Sequence, residues 1–303
     1  MTSSIVLSAY KGGLYLREQL DSIVTQTVLP DELIIINDAS PDNGETEHII
    51  DDYARKYRFV KKKNNKTNLG WAESFMRGAG VAEGEIIMFS DQDDIWEQDK
   101  IEKTIKCFDD PTVNAVICDC INVDENLNIL QSHQGTGKLE RTKFAFDKHF
   151  IYPKGVGAAM AVRKEIIERY KDCWNPGFGH DRFIQVILMM FYSLDFLDVP
   201  LIKHRMHGDN ATGHKVFDAQ MRVATIEGNL KFLDEIKKYP EYSELPNGKK
   251  EILDSYYKFA CHRRDMLQNK SVFQWLLMPA YDISFYPTRN TWLGDLKSIT
   301  NRG

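Results

Sequence analysis

The sequence predicts an α/β protein: a mostly parallel sheet flanked by helices, with a C-terminal helical appendage. Two observations point there. Short, wholly apolar segments alternate with amphipathic segments of helical period through the first half, the pattern of strands buried on both faces and joined by crossover helices. From about residue 215 the strand pattern stops and charge-rich helical stretches take over.

The elements follow in order. Ile5-Val6-Leu7 is a short buried strand that ends at Ser8-Ala9-Tyr10. Leu16, Leu20, Ile23 and Val24 fall at i, i+4, i+7 and i+8, one face of a helix. Leu33-Ile34-Ile35-Ile36 is a second strand, stopped by the turn-forming run Asn37-Asp38-Ala39-Ser40-Pro41. Ile49, Ile50, Tyr53 and Ala54 mark the next helix, Phe59-Val60 a weak third strand, and Ala72, Phe75, Met76 and Ala79 a further helix. Ile86 to Phe89 and Ala115 to Cys118 are the fourth and fifth strands, and Phe196 to Val199 is strand-like. Helical stretches at 216–238, 248–268 and 271–283 form the appendage, so the expected division is an α/β domain over 1–214 and a helical region over 215–303. In parallel sheets ligands bind at the carboxyl ends of the strands. Ser8 and Tyr10, Asp38, and Asp91 with Asp93 all lie at such ends.

Composition narrows the function classes. The 303 residues carry a net charge of −5, which argues against a general nucleic-acid binder. Five cysteines, an odd number in a long chain, do not form a disulfide framework. Cys118 and Cys120 read as small buried residues rather than zinc ligands. The N-terminus lacks the basic region and apolar core of a signal peptide, and no window reaches about 18 uninterrupted apolar residues. The expected compartment is the reducing cytosol. There is no G-x-x-x-x-G-K-[ST] phosphate loop. Gly155-Val156-Gly157-Ala158-Ala159 begins like a dinucleotide fingerprint, but Met160 replaces the third glycine. Close backbone packing is the expectation there.

The stretch FSDQDDIW at 89–96 concentrates three carboxylates, Asp91, Asp93 and Asp94, directly after a strand. Like charges this close repel. Two carboxylates one residue apart at a strand end can face the same side. With a substrate pyrophosphate they supply the oxygen ligands that Mg²⁺ or Mn²⁺ prefers. A solvated acidic turn leading into the next helix is the alternative. Trp96 either packs under this loop or lines a sugar site, with packing the simpler expectation. Lys61-Lys62-Lys63 and Lys66 read either as a solvated strand edge or as a contact for phosphate or an anionic acceptor.

The order of the pieces resembles the family 2 glycosyltransferases of GT-A (Rossmann-like) fold. The resemblance rests on LSAYKG at 7–12, LDSIVTQT at 20–27, IINDAS at 35–40, NLGWAESF at 68–75, FSDQDDIW at 89–96, GHDRF at 179–183 and HRMHGDN at 204–210. It spans about residues 3–212, and DQDDIW is most similar to bacterial enzymes of surface-polysaccharide synthesis, the rhamnosyltransferase-like type included. The resemblance implies that Ser8 and Tyr10 meet the nucleotide, with Tyr10 stacking on the base. It implies that Asp38 accepts from the N3–H of uracil or thymine, a fit for a group that accepts but cannot donate. It places Asn68 near the base or ribose, Asp91 at the ribose or donor sugar, and Asp93 on a metal, with Asp94 orienting the loop. Asp181 is the implied general base, His180 its orienter or part of the acceptor site. The bland alternative is that Asp181 caps the following helix. In the Arg-x-His-x-x-Asn pattern Arg205 offsets phosphate charge, His207 completes the metal shell or binds diphosphate, and Asn210 closes the motif; His204 lies outside it. Asn37 and Lys11 depart from the family's usual acid and Asn.

The implied activity is inverting, metal-dependent transfer of a sugar from a UDP- or dTDP-sugar to a hydroxyl of a growing surface glycan of capsule or O-antigen type. Mn²⁺ or Mg²⁺ is the implied cofactor, and a glycan or lipid-linked glycan the acceptor. A metal-dependent hydrolase or nucleotidyltransferase on the same sheet, or a non-catalytic sugar-nucleotide binder, are the alternatives. The run VFQWLLMPAYDISFYP at 272–287, broken by Pro279, follows His262-Arg263-Arg264 and Lys270. It is expected either to touch the inner face of the membrane or to pack, within the chain or as a homodimer face.

Overall fold

The computed structural model describes residues 1–132, 135–208, 218–281 and 283–300. The chain folds as two compact units: Met1–Phe144 with Lys154–Lys171 and Ser193–Gly213, and Ala145–Pro153 with Asp172–Tyr192 and His214–Gly303.

The first unit begins as the apolar pattern requires. Strands β1 (Ser3–Ala9), β2 (Glu32–Asn37), β3 (Val60–Asn64) and β4 (Ile86–Ser90) alternate with helices α1 (Leu16–Val24), α2 (Glu45–Lys56) and α3 (Trp71–Val81). They are followed by β5 (Ile95–Trp96), α4 (Lys100–Cys107), β6 (Ala115–Val123), β7 (Ile129–Gln131), β8 (Arg141–Lys143), β9 (Met160–Arg163) and α5 (Lys164–Tyr170). After α6 (His180–Phe191) in the second unit, the chain returns as β10 (Asp195–Arg205).

Among the described residues the strands form one sheet in the order β3-β2-β1-β4-β9-β6-β10-β5, with β7 added to β6 and β8 to β10. The first four strands are mutually parallel. β9 is antiparallel to both β4 and β6, and β10 is parallel to β6. Six strands therefore share one direction, and their carboxyl ends gather on one edge of the sheet. β2 and β4 are buried at every position, as crossover strands covered on both faces should be.

β9 was not legible as a strand. Its preceding glycine run is close-packed as expected: a Cβ on Gly155 would stand 2.8 Å from Ile117 Cγ2. Lys61, Lys62 and Lys63 lie on the edge strand β3, where Lys61 pairs with Glu32 at 2.7 Å and Lys62 with Asp51 at 2.5 Å. All five cysteines are free thiols.

The second unit holds α6 with α7 (Ala219–Ile236), α8 (Pro240–Glu244), α9 (Asn247–Gln268), α10 (Val272–Leu277) and α11 (Arg289–Thr300). Its core is aromatic: Phe178 stacks on Phe232 at 4.8 Å, and Phe183 of α6 meets the edge of Phe232 at 5.8 Å. Asp295, wholly buried, accepts from Arg222 at 3.0 Å, from Arg263 at 2.7 and 2.9 Å, and from the Tyr286 hydroxyl at 2.8 Å. A buried carboxylate is tolerable only with such a set of donors.

Two glycines of α3 separate packing from propensity. A Cβ on Gly78 would collide with Val6 Cγ1 of β1, whereas one on exposed Gly80 meets nothing within 4 Å. Gly78→Ala should destabilise the protein by about 1–3 kcal/mol through overpacking. Gly80→Ala should stabilise it by about 0.5–1 kcal/mol through helix propensity. Denaturant melts of both variants check the pair.

Candidate active site

The carboxyl ends of β1, β2 and β4 are stitched together by side chains bonded to main chain. Gln92, beyond β4, accepts from Tyr10 N at 2.8 Å and donates to Tyr10 O at 2.9 Å. Lys11 N donates to Ser40 Oγ at 3.1 Å, and Ser40 is fixed by Asn37 Oδ1 at 2.8 Å. Asn37, where the family usually has an acid, thus closes the turn after β2. Lys11 adopts φ 54 and Ala39 φ 53. That left-handed region costs an L-residue other than Asn about 1 kcal/mol or more, a physical reason for Asn being frequent at the Lys11 position.

Asp38 is buried to 2% exposure. Its Oδ1 accepts from Asn65 Nδ2 at 2.7 Å and Leu69 N at 2.9 Å, and its Oδ2 from Gly70 N at 2.8 Å. The carboxylate therefore anchors the loop that leads into α3. Asn68 in that loop reaches Asp38 O at 3.4 Å. Ser8 is half-buried inside β1, and Tyr10 just beyond it is 37% exposed. Both flank the same strand ends as Asp38.

The acidic loop after β4 is neutralised by the end of β10. His207 Nε2 and Asp93 Oδ2 lie 2.9 Å apart, and His204 Nδ1 and Asp94 Oδ1 also 2.9 Å apart. Arg205 N donates to Asp94 Oδ1 at 3.1 Å. The Arg205 guanidinium, 2% exposed, donates to Asp93 O at 2.9 Å, Glu125 O at 2.5 Å and Glu18 Oε2 at 2.5 Å, and lies over the Tyr15 ring at 4.3 Å. His207 packs on the same ring at 5.1 Å. Asp91 stays half-buried at the mouth of β4. Beneath the loop Trp96 is buried, confirming the packing expectation, and covers the Lys100 ammonium at 3.9 Å. Lys100 is wholly buried, its Nζ lacks a hydrogen-bond partner among the described residues, and burial pushes its pKa down against the charges of Cys118 and Asp94.

These contacts use motif residues in ways the sequence did not show. His204, outside the family pattern, is the counter-ion of Asp94. Gln92, Tyr15, Glu18 and Asn65 were not singled out, yet each positions a site residue. Gln92 sits inside the acidic motif, the one signal that could have found it. Asn210 lies outside the described residues. Asp181 occupies the first turn of α6, after an N-cap Gly179 that makes no side-chain cap bond. Its neighbour His180 is buried, and burial pushes that imidazole down to about 4.

Burial, and then the charge of Asp94, push the Asp93 carboxyl above its ordinary range, while His207 opposes them. Among the described residues no three His, Cys, Asp or Glu converge as a complete metal shell. The Asp93–His207 pair fits a partial one. Adjacent ligands of an octahedral ion with bonds of about 2.1 Å stand about 3.0 Å apart, close to the separation seen. A cation there also relieves the repulsion between Asp93 and Asp94, and one oxygen and one nitrogen leave positions for diphosphate oxygens and water.

Residues 4–171 match the family model described as glycosyl transferase family 2. The chain belongs to that family. It is 27% identical over 257 residues to EpsH of Bacillus subtilis, covering 79% of this chain and 71% of that protein. It is 28% identical over 209 residues to the uncharacterised glycosyltransferase MJ1057 of Methanocaldococcus jannaschii, 67% of this chain and 70% of that one. The match to GgaB of Bacillus subtilis, a minor teichoic acid biosynthesis protein, is 35% over 109 residues, 35% of this chain and 12% of GgaB. Against an uncharacterised glycosyltransferase of Rickettsia felis, 35% identical over 102 residues, this chain accounts for 34% of itself and 16% of that protein's length. Among solved structures, S. aureus TarS 1-349 in complex with UDP superposes with TM-score 0.61 at 18% identity, covering 95% of this chain and 81% of that fragment. The same TarS fragment with UDP-GlcNAc gives 0.60 at 16% identity, covering 98% and 91%. These likenesses bear out the predicted α/β fold with its C-terminal helices.

The His204–Asp94 pair has a pH signature. Burial works against the imidazolium, but the bond to Asp94 and the charges of Asp94, Asp91 and Asp93 outweigh it and push His204 up to about 9 from 6.5. Between those values the folded chain holds a proton that the unfolded chain has released. The pair therefore stabilises the fold fully below about pH 6.5, and that stabilisation is lost as the pH rises through about 9. His204→Gln should cost on the order of 3 kcal/mol near pH 6 and little near pH 10. Melts across that range should show a flatter pH profile for the variant.

Proposed function

We propose that this protein is an inverting glycosyltransferase that moves a sugar from a UDP- or dTDP-sugar to a hydroxyl of a growing surface glycan. The observation that carries the reading is the Asp93–His207 pair at 2.9 Å, at the stitched strand ends of a family 2 chain. In this reading residues 1–214 are the catalytic domain and 215–303 the helical region.

The donor's nucleoside lies along β1 and β2. Tyr10 stacks on the base, Ser8 and Asn68 contact the nucleoside, and Asp38 accepts from the imide N–H while holding the 65–70 loop in place. Asp91 meets the ribose or the sugar. Asp93 and His207 are the residues that would hold Mn²⁺ or Mg²⁺, which would supply positive charge for a departing diphosphate. Arg205, through Asp93 O, Glu125 O and Glu18, keeps the acidic loop in place. Asp181 takes the proton from the acceptor hydroxyl. That oxygen bonds to the anomeric carbon as the bond from this carbon to the β-phosphate oxygen breaks, and the nucleoside diphosphate leaves with the electron pair. A single displacement inverts the configuration. GgaB's role in teichoic acid synthesis supports a cell-wall or surface polymer as acceptor. TarS, solved with UDP and with UDP-GlcNAc, supports a uridine donor.

Incubation with UDP- and dTDP-sugars, Mn²⁺ and polyol or glycan acceptors should yield transfer. Release of free sugar at the same rate without acceptor would instead identify a hydrolase. Asp181→Asn should retain donor binding and lose about 10²–10⁴-fold in kcat; full turnover would remove Asp181 from the role. Asp93→Ala should abolish the Mn²⁺ dependence of donor affinity in calorimetry, and an unaltered dependence would place the ion elsewhere.

A further inference from the structure

α1 meets the acidic loop with polar side chains. Its apolar residues Leu16, Leu20, Ile23 and Val24 are buried, but so is Gln19, at 0% exposure. A buried side-chain amide is costly unless its donors and acceptor are met. Here the partners all belong to the segment that carries the carboxylates. The Gln19 amide lies 2.7 Å from Ser90 Oγ and 3.2 Å from Trp96 Nε1, and it also meets Asp94 O. With its oxygen toward the hydroxyl and the indole N–H, and its nitrogen toward the carbonyl, each of these groups is satisfied. Ser90, Asp94 and Trp96 are themselves buried. One turn further along α1, Ser22 Oγ accepts from Trp96 N at 3.1 Å.

The place of these bonds along the chain gives them a task. Ser90 is the last residue of β4, and Trp96 the last of β5, just past the acidic loop. One side chain therefore holds both feet of the span from which Asp91 and Asp93 project. Arg205 Nε and His207 meet the same span at Asp93. Gln26, just beyond the end of α1, offers a comparison. It is 6% exposed, its Nε2 donates to Ser22 O at 2.9 Å and Glu97 O at 2.7 Å, and its Oε1 accepts from Ile101 N at 3.0 Å. Residue type, burial and bonding are alike. The loop partners of Gln26 lie downstream of the carboxylates, at the entry to α4, whereas those of Gln19 bracket them.

We propose that Gln19 is a positioning residue for cation binding: its amide, bonded to Ser90 Oγ, Asp94 O and Trp96 Nε1, holds Asp93 at the spacing from His207 that a divalent ion requires. The inference rests on the reading of Asp93 and His207 as ligands of that ion. Gln19 touches neither ion nor substrate. It acts through the main chain of the loop, so its loss weakens the site without removing a ligand.

Gln19→Met nearly conserves volume and removes every bond of the amide. Mn²⁺ affinity, read from the paramagnetic resonance signal of the free ion with UDP present and separately with dTDP, should fall by about tenfold in this variant. Gln26→Met should lower the melting temperature comparably and leave Mn²⁺ affinity unchanged, which separates positioning from general support of the fold. Ser22→Ala, a milder change that releases Trp96 N, should weaken Mn²⁺ by about threefold, and it decides the matter if Gln19→Met does not fold. Mn²⁺ affinity unaltered in Gln19→Met, or in Ser22→Ala where Gln19→Met does not fold, overturns the inference alone. An equal loss in Gln26→Met also overturns it. Wild-type protein that takes up no Mn²⁺ with either nucleotide overturns the metal reading and this inference with it.

Discussion

The loop after β4 buries two adjacent carboxylates, and the rest of the candidate site depends on how their charge is met. Asp93 and Asp94 repel each other, and burial magnifies that repulsion. The end of β10 and the residues just beyond it answer with three partners: His204 on Asp94, the Arg205 amide on Asp94 and guanidinium on the Asp93 carbonyl, and His207 on Asp93. The buried Lys100 amine lies beneath, over the Trp96 ring. The acidic motif is thus one half of an electrostatic unit whose other half arrives more than a hundred residues later. Asp94, wholly buried and already bonded, belongs to the framework of that unit, whereas Asp93 is only partly covered and meets the His207 ring.

A second constraint acts on the strand ends. Loops at the carboxyl edge of a parallel sheet carry main-chain groups that no ladder satisfies. Here polar side chains satisfy them across strands: Gln92 for Tyr10, Ser40 for Lys11, Asp38 for Leu69 and Gly70. The same bonds fix the distances between the three loops that a nucleotide sugar would span. Preorganisation of this kind lowers the ordering cost of ligand binding. It also explains why positive-φ strain at Lys11 and Ala39 is retained, since relaxing either turn would break a bridge between loops.

The architecture was legible because burial on both faces forces continuous apolar strands, and β1, β2 and β4 carry them without interruption. β9 escaped because four residues beside a glycine run leave no periodicity to read. α11 escaped for a related reason: its apolar residues are sparse and its anchoring is by Asp295, a charge that composition alone would place on the surface. In the site, the acidic triplet and the Arg-x-His spacing were visible as local patterns. The roles of His204, Tyr15 and Glu18 were not, because each depends on a partner distant in sequence. Arg205 shows the same limit. Its type suggested a phosphate contact, but its guanidinium is buried against a tyrosine ring and two carbonyls.

By itself the sequence determined the run of strands and helices, the family, and the set of polar residues delivered to the carboxyl edge of the sheet. These follow from local rules: apolar period, turn chemistry and the order of short motifs. Only the tertiary structure decided which cation meets which carboxylate and which loop each side chain ties down. It also decided that residues 172–192 pack with the C-terminal helices. Hydrogen bonds and ion pairs are set by distances of about 3 Å between groups far apart along the chain, and no local pattern encodes such a distance.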